Sequence, residues 1–298
     1  MFLGYVLAVI SWGAYVRATG SGAGCGSHWP LCNGEIVPRS EQLETLIEFT
    51  HRATSGLALI GSLVLVIWAF RCYARGSQVR NFAALSLFFM LTEALLGAGL
   101  VLFGLVARDD SIARAWVMAF HLINTFLLLA CLTLTAWWAS GRTEPRFAFQ
   151  KPIVVGCVAA LLAQLLLGAS GAIAALGDTL FPPESLAGAI QQDFSADAHI
   201  LLQLRVYHPI IAGLVALLVV TTAAFLARRR SDRMTTALAM TLGLLFLLQL
   251  GVGIVNLLLL APVGLQLLHL FVADLVWITT IVMAATAVEE RRAAPEAR

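Results

Sequence analysis

The sequence predicts an all-α integral membrane protein with eight transmembrane helices, arranged as two pseudo-repeated four-helix bundles. Its 298 residues are 60% hydrophobic and 12% charged, whereas charged residues make up about 25% of a soluble domain. The apolar residues occur in runs near the ~20 residues that a helix needs to cross a bilayer. The order of features in the first half also recurs in the second. The net charge of +2 is too small to suggest a nucleic-acid partner.

Apolar runs between charged or Gly/Pro-rich breaks give the positions of the spans. They lie near 2–18, 48–70, 81–106, 112–139, 152–176, 205–227, 234–257 and 264–288. The first run lacks the basic region and cleavage site of a signal peptide, so it predicts a retained helix that is barely long enough to span. Long outer segments follow at 19–47 and 177–204. The N-terminal half is predicted at 1–143 and the C-terminal half at 144–298.

The distribution of Lys and Arg predicts the orientation. One side carries 13 of them: Arg71, Arg75, Arg80, Arg142, Arg146, Lys151, Arg228, Arg229, Arg230, Arg233, Arg291, Arg292 and Arg298. The other side and its span ends carry six: Arg17, Arg39, Arg52, Arg108, Arg114 and Arg205. The richer side is predicted to be cytoplasmic, and an even number of spans places both termini there. Short tails and no transit peptide favour a bacterial inner membrane.

Four of the six histidines lie in predicted spans, each near the outer end: His51, His121, His208 and His269. An ionisable residue inside a membrane is costly and indicates a functional site by default. Any one of them could equally be a buried histidine that is hydrogen-bonded to a neighbour. Four at one depth indicate two bis-imidazole sites, one in the core of each bundle.

Haem is the cofactor that these pairs favour over a bare metal ion. Zinc sites usually add a cysteine, a carboxylate or a third histidine, and in the spans only Glu48 and His51 have the Glu-x-x-His spacing of di-iron bundles. Two axial imidazoles from facing helices suit a haem between apolar side chains. Arg17, Arg52 and Arg205 lie at the outer membrane boundary, where they either pair with haem propionates or extend to the interface by snorkelling.

Glu48 shares a helix face with His51, three residues later. It is either an ordinary first-turn acid favoured by the helix dipole or a functional group. In the second case it accepts a proton or stabilises a positive charge on the bound ligand.

Cys25 and Cys32 flank the segment 26–31 on the predicted outer side, where a disulfide persists. They are interpreted as a disulfide or a redox-active dithiol. Metal binding together with His28 is the alternative, but a further ligand nearby is missing from the sequence.

Together these segments and histidines resemble the signature of the haem A synthases over nearly the whole chain. The matching features are the run Gly13-Ala14-Tyr15-Val16-Arg17-Ala18-Thr19-Gly20-Ser21-Gly22, then Cys25, His28-Trp29-Pro30-Leu31-Cys32-Asn33-Gly34, Glu48-x-x-His51-Arg52, His121, His208-Pro209 and His269. The later outer segment departs from some relatives because it has no second cysteine pair. The N-terminus is also shorter than is usual in that family, which leaves open a start site upstream.

The resemblance implies an oxidoreductase that oxidises a methyl group of haem O to a formyl group, giving haem A for terminal oxidases. It implies haem b as cofactor on His208 and His269, and haem O as substrate on His51 and His121. Arg52 and Arg17 are assigned to the substrate site, Glu48 to catalysis, and Cys25 with Cys32 to a loop pair.

The expected partners are a haem O synthase, an electron donor or acceptor such as a quinone, membrane lipid, and a further copy of the chain in a homo-oligomer. The main alternative function is a di-haem b cytochrome that carries electrons from a quinol to an outer acceptor. Against it, Arg205 stands before His208 where Glu48 stands before His51, so only one half looks reactive. A transporter with repeated halves is disfavoured because proline is confined to loops and span ends.

Overall fold

The computed structural model describes residues 1–142, 151–230 and 232–288, without the side chains of 151, 152 and 288. Over these residues the fold is helical, and the one β contact between them is an isolated bridge that joins Cys32 to Glu35. The helices are α1 (Phe2–Ala18), α2 (Leu43–Cys72), α3 (Gln78–Leu102), α4 (Ile112–Ala139), α5 (Lys151–Leu180), α6 (Leu186–Asp193), α7 (Ile200–Arg205), α8 (Tyr207–Arg230), α9 (Arg233–Leu258) and α10 (Val263–Val288).

Seven helical segments in the described part of the chain are long and apolar enough to cross a membrane, with α7 and α8 forming one of them. The prediction of an all-helical, multi-pass membrane protein is therefore confirmed. The apolar helix α1 has 17 residues and a length of about 25 Å, which is shorter than the ~30 Å hydrocarbon core. Eight spans in two repeated bundles stay a prediction.

The predicted spans 2–18 and 112–139 coincide with α1 and α4. The third span ends early, at Leu102, because Phe103 closes the helix and Gly104 takes a left-handed conformation with φ of 68°. Glycine is the residue that commonly ends a helix in this way. The predicted continuation to 106 is therefore wrong.

Side-chain caps fix the start of several helices, because they satisfy backbone N–H groups that have no partner inside the helix. Ser77 and Ser111 cap α3 and α4. The Asp232 carboxylate caps α9 by accepting from the Thr235 backbone N–H at 2.8 Å. Burial alone would raise the pKa of Asp232, but the hydrogen bonds from Thr235 and the charge of Arg230 outweigh it and lower that pKa.

The outer segment 177–204, predicted as a loop, contains helical structure. Helix α5 extends to Leu180, and two short helices, α6 and α7, follow before α8. These short helices lack the long apolar runs that made the spans visible in the sequence.

The two halves of the chain pack against each other through α4, which contacts α5 and α10. The Phe126 and Trp277 rings stack at 5.2 Å between centroids, and the Trp277 indole N–H donates to the Phe126 carbonyl at 2.6 Å. Gly168 of α5 lies against the Phe126 ring, so closely that a Cβ there would be 2.8 Å from Cε2. The predicted boundary between the halves, at 143/144, lies outside the described residues, as do Arg146, Arg291, Arg292 and Arg298.

Candidate functional site

The four in-span histidines lie on four different helices: His51 on α2, His121 on α4, His208 on α8 and His269 on α10. Each ring is half-buried. They fall into one pair in each half of the chain.

In the second half, the His208 and His269 rings face each other with centroids 6.3 Å apart and planes at 81°. The partners of this pair are neutral. Ser170 Oγ lies 2.9 Å from His208 Nδ1, and the Gln249 amide nitrogen lies 3.2 Å from His269 Nε2. The Nδ1 atom of His269 is buried without a hydrogen-bond partner among the described residues.

In the first half, His51 lies within electrostatic range of both His121 and Glu93. Its Nδ1 atom is also buried without a hydrogen-bond partner among the described residues. The Nδ1 atom of His121 lies 2.8 Å from Glu93 Oε1 on α3. One half therefore has a carboxyl partner for its pair, and the other has a hydroxyl and an amide.

A glycine on the preceding long helix contacts each of these four rings. A Cβ at Gly13, Gly171 or Gly253 would lie 2.8, 3.0 and 3.0 Å from Cε1 of His51, His208 and His269, respectively. At Gly97 the nearest ring atom, Nε2 of His121, would be 3.9 Å away. Three of the rings thus occupy space that any larger residue would take, and the order glycine then histidine occurs four times along the chain, twice in each half.

These pairs fit the axial ligands of haem. A ring nitrogen buried without a partner is costly, and coordination of a metal is one way to satisfy an imidazole. The described residues contain no group of three or more His, Cys, Asp or Glu side chains placed to hold a metal ion. Pairs of imidazoles from facing helices match haem ligation better than they match zinc, which usually takes three or four protein ligands.

Glu48 is 3% exposed, and both of its oxygens are hydrogen-bonded. Oε2 accepts from the Cys25 backbone N–H at 2.8 Å, and Oε1 accepts from Arg52 Nη2 at 2.5 Å. Because Glu48 lies one turn before His51 on α2, these contacts fix a carboxylate on the helix face that carries His51. They also join the outer loop to the helix.

The outer loop lies on the first turns of α2. Cys25 and Cys32 form a disulfide, and both are buried. Arg52 Nη1 donates to the carbonyls of His28 and Leu31 at 2.6 and 2.7 Å.

Backbone packing brings the same loop still closer to α2, since a Cβ at Gly24 would lie 2.4 Å from the Glu44 carbonyl carbon. Only glycine permits that approach. The disulfide-closed loop is therefore held against the first turns of α2, the helix that carries His51.

The other two outer arginines interact with protein groups of the second half. Arg17, assigned from the sequence to the substrate site, donates to the Ala175 carbonyl and to Thr179 Oγ1 on α5, and to Gln266 Oε1 on α10. It thus joins α1 to the second half. Arg205 forms ion pairs with Asp178 at 2.7 Å and Asp193 at 2.5 Å, which fasten the short outer helices to α5.

The sequence reasoning found the histidines but missed the groups that orient them. Ser170, Glu93 and Gln249 are polar residues in predicted spans, and the sequence alone does not place them beside a histidine. The contacts of Gly13 and Gly171 were also missed. A comparison of the two halves would have found these glycines, since each lies in the span that precedes a histidine.

Comparison with known proteins gives a match along most of the chain. The sequence model of the COX15-CtaA family, described as cytochrome oxidase assembly protein, matches residues 1–281. A protoheme IX farnesyltransferase of Thermus thermophilus is 50% identical over 293 residues, which is 96% of this chain and 48% of that protein. A heme A synthase of Shouchella clausii is 42% identical over 149 residues, covering 50% of this chain and 46% of the relative.

A heme A synthase of Halalkalibacterium halodurans is 35% identical over 160 residues, covering 53% of this chain and 51% of the relative. Almost the whole of this chain takes part in the match, but the chain spans only about half the length of the Thermus relative. The match to residues 1–281 includes all four in-span histidines, Glu48 and the cysteine pair. The chain therefore belongs to the COX15-CtaA family of cytochrome oxidase assembly proteins, the haem A synthase family that its motifs resemble.

Proposed function

We propose that the protein is a haem A synthase, an oxidoreductase that oxidises a methyl substituent of haem O to a formyl group and so supplies haem A to terminal oxidases. The observation that carries the proposal is the pair of two-histidine sites whose surroundings differ. Among the described residues, a carboxyl group bonds to a histidine of the first pair alone, and a disulfide-closed loop is bonded to the helix that carries His51. A carrier of electrons needs no such difference between its two haem sites.

The architecture that goes with this function is eight spans in two four-helix bundles, 1–143 and 144–298, with α1 as the eighth span. The repeated order of glycine and histidine contacts supports it. An even number of spans and the excess of Lys and Arg on one side support a bacterial inner membrane location with both termini cytoplasmic.

The proposed division of labour assigns His208 and His269 to haem b and His51 and His121 to haem O. Haem b, when bound, supplies one-electron transfer. The rings of the second pair lie 6.3 Å apart, and Gly171 and Gly253 leave room for them, because a Cβ at either position would lie 3.0 Å from Cε1 of the ring. Their role is to hold a cofactor, whereas the first pair presents the substrate to Glu48.

Glu48 is the proposed catalytic carboxylate. Removal of electrons from a methyl carbon leaves it electron-poor, and a nearby carboxylate stabilises that carbon or takes a proton from the attacking water. The Arg52 guanidinium keeps the buried carboxylate paired, at 2.5 Å, and its contacts to the loop help to exclude bulk water. Low dielectric strengthens the effect of a fixed charge at such a site.

Arg52 and Arg17 are proposed to bind the substrate propionates. Each guanidinium donates to backbone carbonyls at 2.6–2.7 Å, and a carboxylate is a stronger acceptor for Arg than a carbonyl is. Exchange of a carbonyl for a propionate would let the loop and α1 respond to the substrate.

A haem O synthase is the proposed source of the substrate. The Thermus relative, named a protoheme IX farnesyltransferase, is about twice as long as the part of it that this chain matches. A protein that joins a farnesyltransferase segment to a segment like this chain would pass farnesylated haem from the first segment to the second. The remaining partners in the proposal are membrane lipid, an electron partner such as a quinone, and further copies of the chain.

The test is mass analysis of the haems that co-purify with the protein when it is expressed beside a haem O source. Wild type is compared with Glu48→Ala and with Glu44→Ala, which removes an exposed acid from the first turn of the same helix. We expect haem b with haem A or its alcohol precursor in wild type and Glu44→Ala. In Glu48→Ala we expect bound haem with oxidation stalled.

Two results would contradict the proposal. Haem b alone, at two per chain in wild type and unchanged in Glu48→Ala, would identify an electron-carrying cytochrome. Conversion of haem b and farnesyl diphosphate to haem O by the purified protein, without haem A, would identify the prenyl transfer for which the Thermus relative is named.

A further inference from the structure

Glu93 connects α3 to three donors on one face of α4. Oε1 accepts from Thr125 Oγ1 at 2.5 Å and lies 2.8 Å from His121 Nδ1. Oε2 accepts from the Asn124 amide nitrogen at 2.5 Å. The three α4 residues are spaced i, i+3 and i+4, which puts them on one side of the helix. Thr92 completes the cluster by donating to Asn124 Oδ1 at 2.7 Å.

This arrangement fixes the tautomer of His121. A carboxylate only accepts hydrogen bonds, so the ring nitrogen that faces it, Nδ1, carries the proton. The other nitrogen, Nε2, then carries the free electron pair. It is the ring atom nearest to Gly97, at 3.9 Å from a Cβ built there. A carboxylate on the far nitrogen of a ligating imidazole also increases the basicity of the ligand.

The other three histidines differ in this respect. Ser170 and Gln249, which are neutral, contact His208 and His269. Nδ1 of His51 has no hydrogen-bond partner among the residues that the structure describes. Within the ranges that the structure describes, the hydrogen bond of an in-span histidine to a carboxyl group therefore occurs at the proposed substrate site and not at the second pair.

We propose that Glu93 is a positioning residue that makes His121 an electron-rich axial ligand and so lowers the reduction potential of the haem in the first half below that of the haem in the second. The inference rests on the proposed function, because it requires that His121 binds the substrate haem. Hydrogen bonding to an axial ligand is one of the levers by which proteins set haem potentials. A lower potential at the substrate favours flow of electrons from the substrate side to haem b.

The experiment measures the midpoint potential of the first-half haem by spectroelectrochemistry, in a His269→Ala background that leaves this haem alone. Glu93→Gln keeps the shape of the side chain but replaces the carboxylate with a neutral amide. We expect a shift of the midpoint potential to higher values and a changed low-spin electron paramagnetic resonance signal, with haem content maintained.

A matched variant tests the opposite sign. Thr125→Val removes a donor that shares Oε1 with His121, so the carboxylate should interact more strongly with the ring and the potential should fall. A purely structural role for Glu93 would not produce shifts of opposite sign. Unchanged potentials in both variants, with haem retained, would overturn this inference alone.

If Glu93→Gln loses its haem, Ser170→Asp decides the matter. It places a carboxylate beside His208 Nδ1, where the Ser170 hydroxyl lies at 2.9 Å, and it should lower the potential of the second-half haem, measured in a His51→Ala background. An unshifted potential there would overturn the inference. Failure of the His269→Ala protein to bind any haem would instead overturn the two-site assignment, and with it this inference.

Discussion

Substitution of alanine for the glycines that face the histidine rings should reduce the amount of bound haem, and the loss should be larger where the ring lies closer to the glycine. At Gly171 and Gly253 the new Cβ would meet Cε1 of the ring at 3.0 Å, whereas ordinary contact begins near 3.4 Å. Each ring must therefore move by about 0.4 Å, and His51 behind Gly13 by about 0.6 Å. Metal–ligand distances tolerate only about 0.2 Å, so the displacement exceeds what an iron–imidazole bond accepts.

The same substitutions should leave the helices intact. Alanine is about 1 kcal/mol better than glycine in a helix interior, so loss of haem in these variants would not reflect loss of the backbone. Gly97→Ala is the matched control, because its Cβ would lie 3.9 Å from His121, an ordinary contact.

The assay is the haem content per chain, from the pyridine haemochrome spectrum, together with the melting temperature of each purified variant. We expect severe loss of haem b in Gly171→Ala and Gly253→Ala, loss of substrate haem in Gly13→Ala, and near-normal content in Gly97→Ala. Full haem content in Gly171→Ala and Gly253→Ala would refute the reasoning, since it would mean that the rings do not need the positions they occupy.

Three further predictions concern stability. Replacement of Cys25 and Cys32 by serine should destabilise the outer loop by about 2.5 kcal/mol in the chain-entropy model and speed its cleavage by protease; an unchanged cleavage rate would count against a structural disulfide. Asp232→Ala should cost about 1 kcal/mol through the lost cap of α9, measured as a lower melting temperature at pH 7. Because the pKa of Asp232 is lowered in the folded protein, the stability that the carboxylate adds is present above pH 3.8 and is lost as the pH falls through the folded pKa. A difference in melting temperature between wild type and Asp232→Ala that persists well below the folded pKa would contradict this assignment. Trp277→Phe should cost about 1 kcal/mol by removing the bond to the Phe126 carbonyl, and an unaltered melting temperature would show that this bond adds nothing.

Much of the fold could be predicted because lipid imposes a simple rule on sequence. A spanning helix must be apolar over about 20 residues, so α4 could be located to the residue. The short helices α6 and α7 escaped because they lack a long apolar run and are held by tertiary contacts, namely Leu201 against Leu176 and the ion pairs of Arg205 with Asp178 and Asp193. Such pairs join residues far apart in the sequence and have no periodic signal.

The candidate site, like the fold, could be predicted only in part. The histidines were predictable because an ionisable group in a membrane is rare and costly. Contacts between helices were not, because the sequence does not say which faces meet. Glu93 opposite His121 and Arg17 opposite α5 depend on the crossing of helices that are distant in the chain. The ion pair of Glu48 with Arg52 is an i,i+4 pair on one helix and was within reach of the sequence.

The central claim is that the two histidine pairs bind different haems for different purposes. Its most direct test is mass analysis of the haems that remain bound to His121→Ala and to His269→Ala, each expressed beside a haem O source. The account predicts that His121→Ala keeps haem b and loses haem O and its products, whereas His269→Ala loses haem b and still binds haem O. Loss of the same haem from both variants, or retention of both haems in either, would contradict it.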